Sequence, residues 1–170
     1  MNKATEAFER ATVEDLAEGV VQDPQTGEQV CLVCGQGFPA GEVFPAEGRF
    51  FEAQAAARLH VEREHGPQFA FLLGLLRRWD GLSETQARLL EAFYQGHDDA
   101  RIAADLGISR STVRNHRFRM KERVRQAKVL LALSRILEKN PGAETRLVDF
   151  GAKARMTDER FAITEAEYEH

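Results

Sequence analysis

Residues Leu82 to Lys121, LSETQARLLEAFYQGHDDARIAADLGISRSTVRNHRFRMK, constrain the fold of this chain more than any other stretch. Ser83 followed three residues later by Gln86 is a capping-box signature, and it opens a helix through Leu89, Leu90 and Phe93. Gly96 ends that helix, and Asp98 to Leu106 reads as the next. Gly107 permits the left-handed conformation of a tight helix stop. Ser109 then caps a further helix, whose free N-terminal amides suit a phosphate. Ile102, Ala103 and Leu106 are placed to bury one helix against Val113 and Met120 of the next, and the small Ala103 lets the two approach closely. The last helix is dense in cationic and polar side chains. Three short helices with a tight turn before a basic third describe a helix-turn-helix that docks in the DNA major groove.

The charge distribution agrees. The formal net charge of −4 argues against a nucleic-acid partner only as an average. Residues 1–81 carry −6, residues 82–128 carry +4 and residues 129–170 carry −2. Within 107–128 only Glu122 opposes Arg110, Arg114, Arg117, Arg119, Lys121, Arg123, Arg125 and Lys128, a local balance of +7. A solvated helical face is usually mixed in sign; a phosphate-facing one is not. Hydrophobic residues at 43% and charged residues at 29% describe an ordinary globular mixture. No apolar run approaches the roughly 20 residues that span a bilayer. The first residues, MNKATEAFER, have no signal-peptide core. Two cysteines in a CxxC do not make an oxidised scaffold, so a cytoplasmic, nucleoid-associated location is expected.

Upstream, residues 1–18 read as one short, marginal helix, and the segment Val20 to Gly27, punctuated by Asp23-Pro24 and Thr26-Gly27, as a turn. Gln29 to Val33 reads as a strand running into a tight corner at Cys34-Gly35. Val43-Phe44 and Arg49 to Phe51, joined through Pro45 to Gly48, fit a hairpin. Glu52 to Glu64 is helical by composition and is stopped by Gly66-Pro67. Gln68 to Trp79 forms a second helix, with Phe69, Leu72, Leu73, Leu76 and Trp79 as a packing stripe.

Cys31-x2-Cys34 and His60-x4-His65 together offer the four ligands of a tetrahedral zinc site. Neighbours five apart do not share an ideal helical face, so the last turn before Gly66-Pro67 is expected to loosen. The interval of 25 residues from Cys34 to His60 is about double that of a DNA-reading finger, and the hairpin accounts for the excess. The finger helix has only Arg58 and Arg63 against Glu52, Glu62 and Glu64, so a structural or protein-binding role is expected of it. A redox CxxC, which would want a βαβ setting, and two inert cysteines beside surface histidines are the other readings.

Leu82-Ser83, Leu89-Leu90, Gly96, Ile102-Ala103, Leu106-Gly107-Ile108-Ser109, Ser111-Thr112-Val113 and Asn115-His116 resemble the LuxR-type helix-turn-helix, a layout shared with sigma-factor region-four domains. The CxxC…HxxxxH module joined to it is similar to a set of bacterial transcriptional regulators. Members of that set can carry a further C-terminal domain, which this chain is expected to lack or truncate. Arg110, Ser111, Arg114 and Asn115 are the candidates for base edges, with Arg favouring guanine and Asn adenine. Ser109, Thr112, Arg117, Lys121 and Arg125 are candidates for phosphates. Three residues depart from the family pattern: Arg117 stands where an apolar side chain is usual, Phe118 where a polar one is common, and Gln86 where the first helix typically carries an acidic one. The resemblance also implies a dimer contact through the apolar helix Val124 to Leu137; packing of that helix on Phe69 to Trp79 is equally open.

The expected protein is mainly α: an N-terminal helix and Cys2His2 zinc-binding α+β module over 1–66, a connecting helix over 67–81, a helix-turn-helix with a long C-terminal helix over 82–140, and a tail over 141–170 with a strand at Leu147 to Phe150. It is expected to be a non-enzymatic transcription regulator binding double-stranded DNA, with a structural Zn2+ and no membrane association. The alternative is a sigma-like adaptor acting through RNA polymerase or another protein. A zinc nuclease is disfavoured, because the four ligands close the metal and no catalytic pair remains beside it.

Overall fold

A computed structural model describes residues 3–139; the expected strand at Leu147 to Phe150 and the stop at Asn140-Pro141-Gly142 lie outside the described residues. The chain divides into two compact units, one running to Trp79 and the other starting at Asp80. The architecture is mainly α-helical, with a small β region in the N-terminal part and a long final helix. No helix among the described residues is long and apolar enough to cross a membrane.

The first unit is layered around a small sheet. Strands β1 (Val20–Gln22), β2 (Gln29–Cys31) and β3 (Gly37–Phe38) pair antiparallel in the order β1-β2-β3. Residues that alternate along a strand face opposite sides, and both sides are used. Val20 and its partner Cys31 join Val33, Phe38, Ala53, Ala56, Ala57, Val61, Phe71 and Leu75 in one core. Val21 and its partner Val30 join Ala7 and Leu32 in another, with Ala11 and Leu16 packed against it. Helices α1 (Lys3–Arg10) and α2 (Val13–Glu18) therefore cover one face, and α3 (Ala53–His60) with α4 (Gln68–Asp80) the other.

Three local readings of the sequence are corrected here. The described part of the first segment, residues 3–18, forms two helices, because Thr12 and Asp15 make a reciprocal capping box that starts α2 afresh. Val20 to Gln22 is a strand in register with β2 rather than part of the turn that follows. In α4 the buried side chains are Phe71, Leu73 and Leu75, while Leu76 and Trp79 are exposed. Phe71 and Leu75 lie in the sheet core, so α4 is a packed element of the first unit.

Strands β4 (Val43–Ala46) and β5 (Arg49–Glu52) form the expected hairpin, closed by Glu47 and Gly48, both with positive φ. Phe44 and Phe51 turn from it onto the sheet core.

The second unit begins with α5 (Glu84–Tyr94) and α6 (Asp99–Leu106). The final helix, α7, runs without interruption from Arg110 to Glu138, 29 residues in all. The reading helix and the apolar helix beyond it are thus one element. The small core of the unit is Leu89, Ile102, Ala103 and Val113, flanked by Ala92, Phe93, Leu106 and Ile108.

Candidate nucleic-acid interface and metal centre

Four side chains converge in the first unit. Cys31 ends β2, and the next residues fold back through a knuckle in which the Gly35 amide donates to the Cys31 carbonyl and the Cys31 amide to that of Gln36, both at 2.9 Å. Gly35 makes the corner with φ +78. This places Cys34 beside Cys31. His60 is the last residue of α3, and Val61 to His65 continue as a single π turn.

That turn resolves the spacing problem. On an α-helix, side chains five apart point about 140° away from each other; the i→i+5 pattern of a π turn brings them to one side. His60 and His65 Nε2 stand 3.2 Å apart, and Cys34 Sγ is 3.2 Å from His60 Nε2. All four donor atoms of Cys31, Cys34, His60 and His65 lie within 4.8 Å of one another. The edges of a tetrahedron built on Zn–N and Zn–S bonds measure about 3.3–3.8 Å, so the set is close enough to hold a metal ion. Phe38 supports it, its ring 5.5 Å from that of His60 and 5.3 Å from Phe44. The Cys34 thiol is held well below the usual range, first by the hydrogen bond from Cys31 and then by the Gln36 amide and the two histidines, against the effect of burial. Cys31, fully buried, is correspondingly pushed up by donating to Cys34.

In the second unit the turn between α6 and α7 has the expected geometry. Gly107 caps α6 at φ 66 and ψ 31, and the Ile108 amide returns to the Ala103 carbonyl at 3.0 Å. The Ser109 hydroxyl accepts from the Thr112 amide at 3.0 Å and lies 2.7 Å and 2.8 Å from the hydroxyls of Ser111 and Thr112. The first turn of α7 thus presents a knot of hydroxyls. Val113 points inward and is fully buried. Arg110, Ser111, Arg114, Asn115 and Lys121 are exposed, and Thr112 is half-buried.

Arg117 is drawn the other way. Its guanidinium donates to Asp99 of α6 at 2.8 Å and sits 4.1 Å over the ring of Phe93 on α5. Arg114 approaches the second oxygen of the same carboxylate at 3.7 Å. Asp99, a residue the sequence reading did not single out, therefore ties α6 to two arginines of α7. Its signal was indirect: an arginine in a normally apolar position requires a compensating anion nearby.

Residues 80–128 match the family of bacterial regulatory proteins known as the luxR family, or GerE. They are a LuxR-type helix-turn-helix, a domain of DNA-binding transcription regulators. The match covers less than a third of the chain and leaves the first unit outside it. No curated protein and no solved structure matches the chain. Within the luxR-family domain, His116 lies against α5 with Met120 and Arg119, facing Gln86, Leu89, Leu90 and Phe93. Phe118 is 60% exposed.

Proposed function

We propose that this chain is a dimeric, sequence-specific transcription regulator that reads double-stranded DNA with α7 and whose first unit is braced by one structural zinc ion. The observation that carries the reading is the outer face of α7. There the cations and amides of Arg110, Arg114, Asn115 and Lys121 stand exposed beside the hydroxyl of Ser111, in the +7 stretch of an otherwise acidic chain. Arg110, Ser111, Arg114 and Asn115 read base edges; Ser109, Thr112 and Lys121 hold phosphates and set the register. Arg117, committed to Asp99 and Phe93, serves chiefly to fix α7 in place.

Cys31, Cys34, His60 and His65 would hold the zinc. The donor chemistry supports this assignment: two imidazole nitrogens at 3.2 Å repel as lone pairs unless a cation or a proton lies between them. A closed four-ligand site cross-links β2, the knuckle and the end of α3, and leaves no coordination position for a reacting water. The role is binding, not catalysis, at the nucleoid in the cytoplasm.

The second copy is inferred from the far half of α7. Val129, Leu130, Leu133 and Ile136 are each more than half exposed, and Leu137 is 39% exposed. With Ala132 they span about 160° of the helix surface; Lys128, Arg135 and Lys139 lie together on one flank of that arc, and Leu131, half exposed, lies on the far side. An apolar arc of that width on a surface helix marks an interface. The same observation favours a second reading, in which RNA polymerase or another protein takes this arc and the chain is a sigma-like adaptor.

Selection of duplexes from a random pool by the zinc-loaded protein separates the two. The regulator enriches a motif of inverted half-sites about one helical turn apart. A pool that stays random, with binding lost steeply as salt rises, means backbone attraction alone and gives the adaptor precedence.

A further inference from the structure

The arrangement of α7 leaves one large side chain of its outer face without a role. His116, Arg119, Met120 and Arg123 turn toward α5, and Arg117 toward Asp99 of α6. Phe118 belongs to neither side. It lies about 140° around the helix from the buried Val113 and is 60% exposed. Single exposed apolar residues are ordinary on protein surfaces; the position of this one is not. The residues three, four and seven places before it are Asn115, Arg114 and Ser111, so its ring shares a face with three of the four base-reading side chains.

A major-groove floor offers hydrogen-bond donors and acceptors at every base pair, and one apolar group, the C5-methyl of thymine. A phenyl ring carried into the groove among polar side chains loses water whatever it meets, and only beside that methyl does the loss become a gain. We propose that Phe118 is a specificity-determining residue that packs against the methyl group of one thymine in the recognition site. This rests on the DNA-reading role assigned to α7 above.

The test replaces the methyl and the ring separately. Each thymine in the duplex recovered by the wild-type protein is exchanged singly for deoxyuridine, which keeps the pairing and the hydrogen-bonding edge and removes only the methyl. One position should weaken wild-type binding about four-fold, the worth of one buried methyl group, and that penalty should vanish in Phe118→Ala. The wild-type series alone can overturn the assignment, whatever the folding of Phe118→Ala. A wild-type protein that binds its motif and is indifferent to every deoxyuridine overturns the assignment and leaves the DNA-reading role intact. The same holds if the penalty persists in Phe118→Ala, or if that variant changes the mass in solution, which would place the ring between copies. Failure to recover any motif overturns both readings together.

Discussion

Arg117 shows how one side chain can be paid for by two others. A guanidinium on the inward side of a helix-turn-helix requires an anion and a surface for its planar face, and Asp99 and Phe93 supply them. A partly exposed ion pair contributes little alone, and the ring contact adds to it. Arg117→Ala should therefore lower the stability of the helix-turn-helix by about 1–2 kcal/mol in denaturant unfolding. A residue that only touched phosphate would weaken DNA binding with the unfolding curve unmoved. Asp98, one residue earlier, caps α6 by accepting from the Arg101 amide at 2.8 Å. That bond, followed by the Ala100 amide and the charges of Arg110 and Arg101, lowers its pKa below the usual carboxylate value. The stability it contributes is present above the unfolded pKa of about 3.9 and is lost as pH falls through the lower, folded value. The amide protection of α6, taken relative to the intrinsic exchange rate, should fall in that acid window, and Asp98→Asn, which keeps a capping oxygen, should remove that loss of protection. The caps at Ser83 and Ser109 were legible because each is a short-range pattern; Asp99 was not, because its partners lie 15 and 18 residues away.

At the scale of elements, the first unit depends on joints that sequence periodicity does not report. The α2–β1 joint is Gly19, at φ 78, whose amide returns to the Asp15 carbonyl at 2.8 Å and whose carbonyl accepts from the Leu32 amide at 2.9 Å. A Cβ there would stand 2.7 Å from Gln68 Oε1, on a side chain already bonded to the Leu16 carbonyl. Gly19→Ala should cost roughly 1–3 kcal/mol from the left-handed backbone alone, read as a lowered midpoint of thermal unfolding. The hairpin was legible because Phe44, Phe51 and the intervening Glu47-Gly48 follow the rules of tight turns. Strand β1 was hidden because it has three residues and gains its identity from Val30 and Cys31 across the sheet. The spacing of His60 and His65 signalled a loosened turn, whereas its π geometry depends on what the two rings must reach.

At the scale of the whole molecule, the proposed function gives the two units different ligands. The proposed zinc ion is worth stability to the first unit alone, since its four donors all come from residues before Trp79. A strong chelator should therefore melt α3 and β2 while α5 and α6 keep their amide protection, giving two separated transitions where the loaded protein is more resistant in the first. Loss of both units together would show that they fold as one. The helix-turn-helix was readable from sequence almost residue by residue, because its turn and caps are local. The continuity of α7 was not: nothing between Lys121 and Val129 distinguishes a helix that pauses from one that goes on. That continuity makes the helix a drive shaft. From Arg114 to Leu133 it rises about 28 Å with no joint, so whatever grips the apolar arc also sets the azimuth at which the arginines enter the groove. Two residues inserted after Lys128 would turn one end against the other by about 200° and should silence the inverted-site preference. A seven-residue insertion turns it by only about 20° and should leave that preference standing.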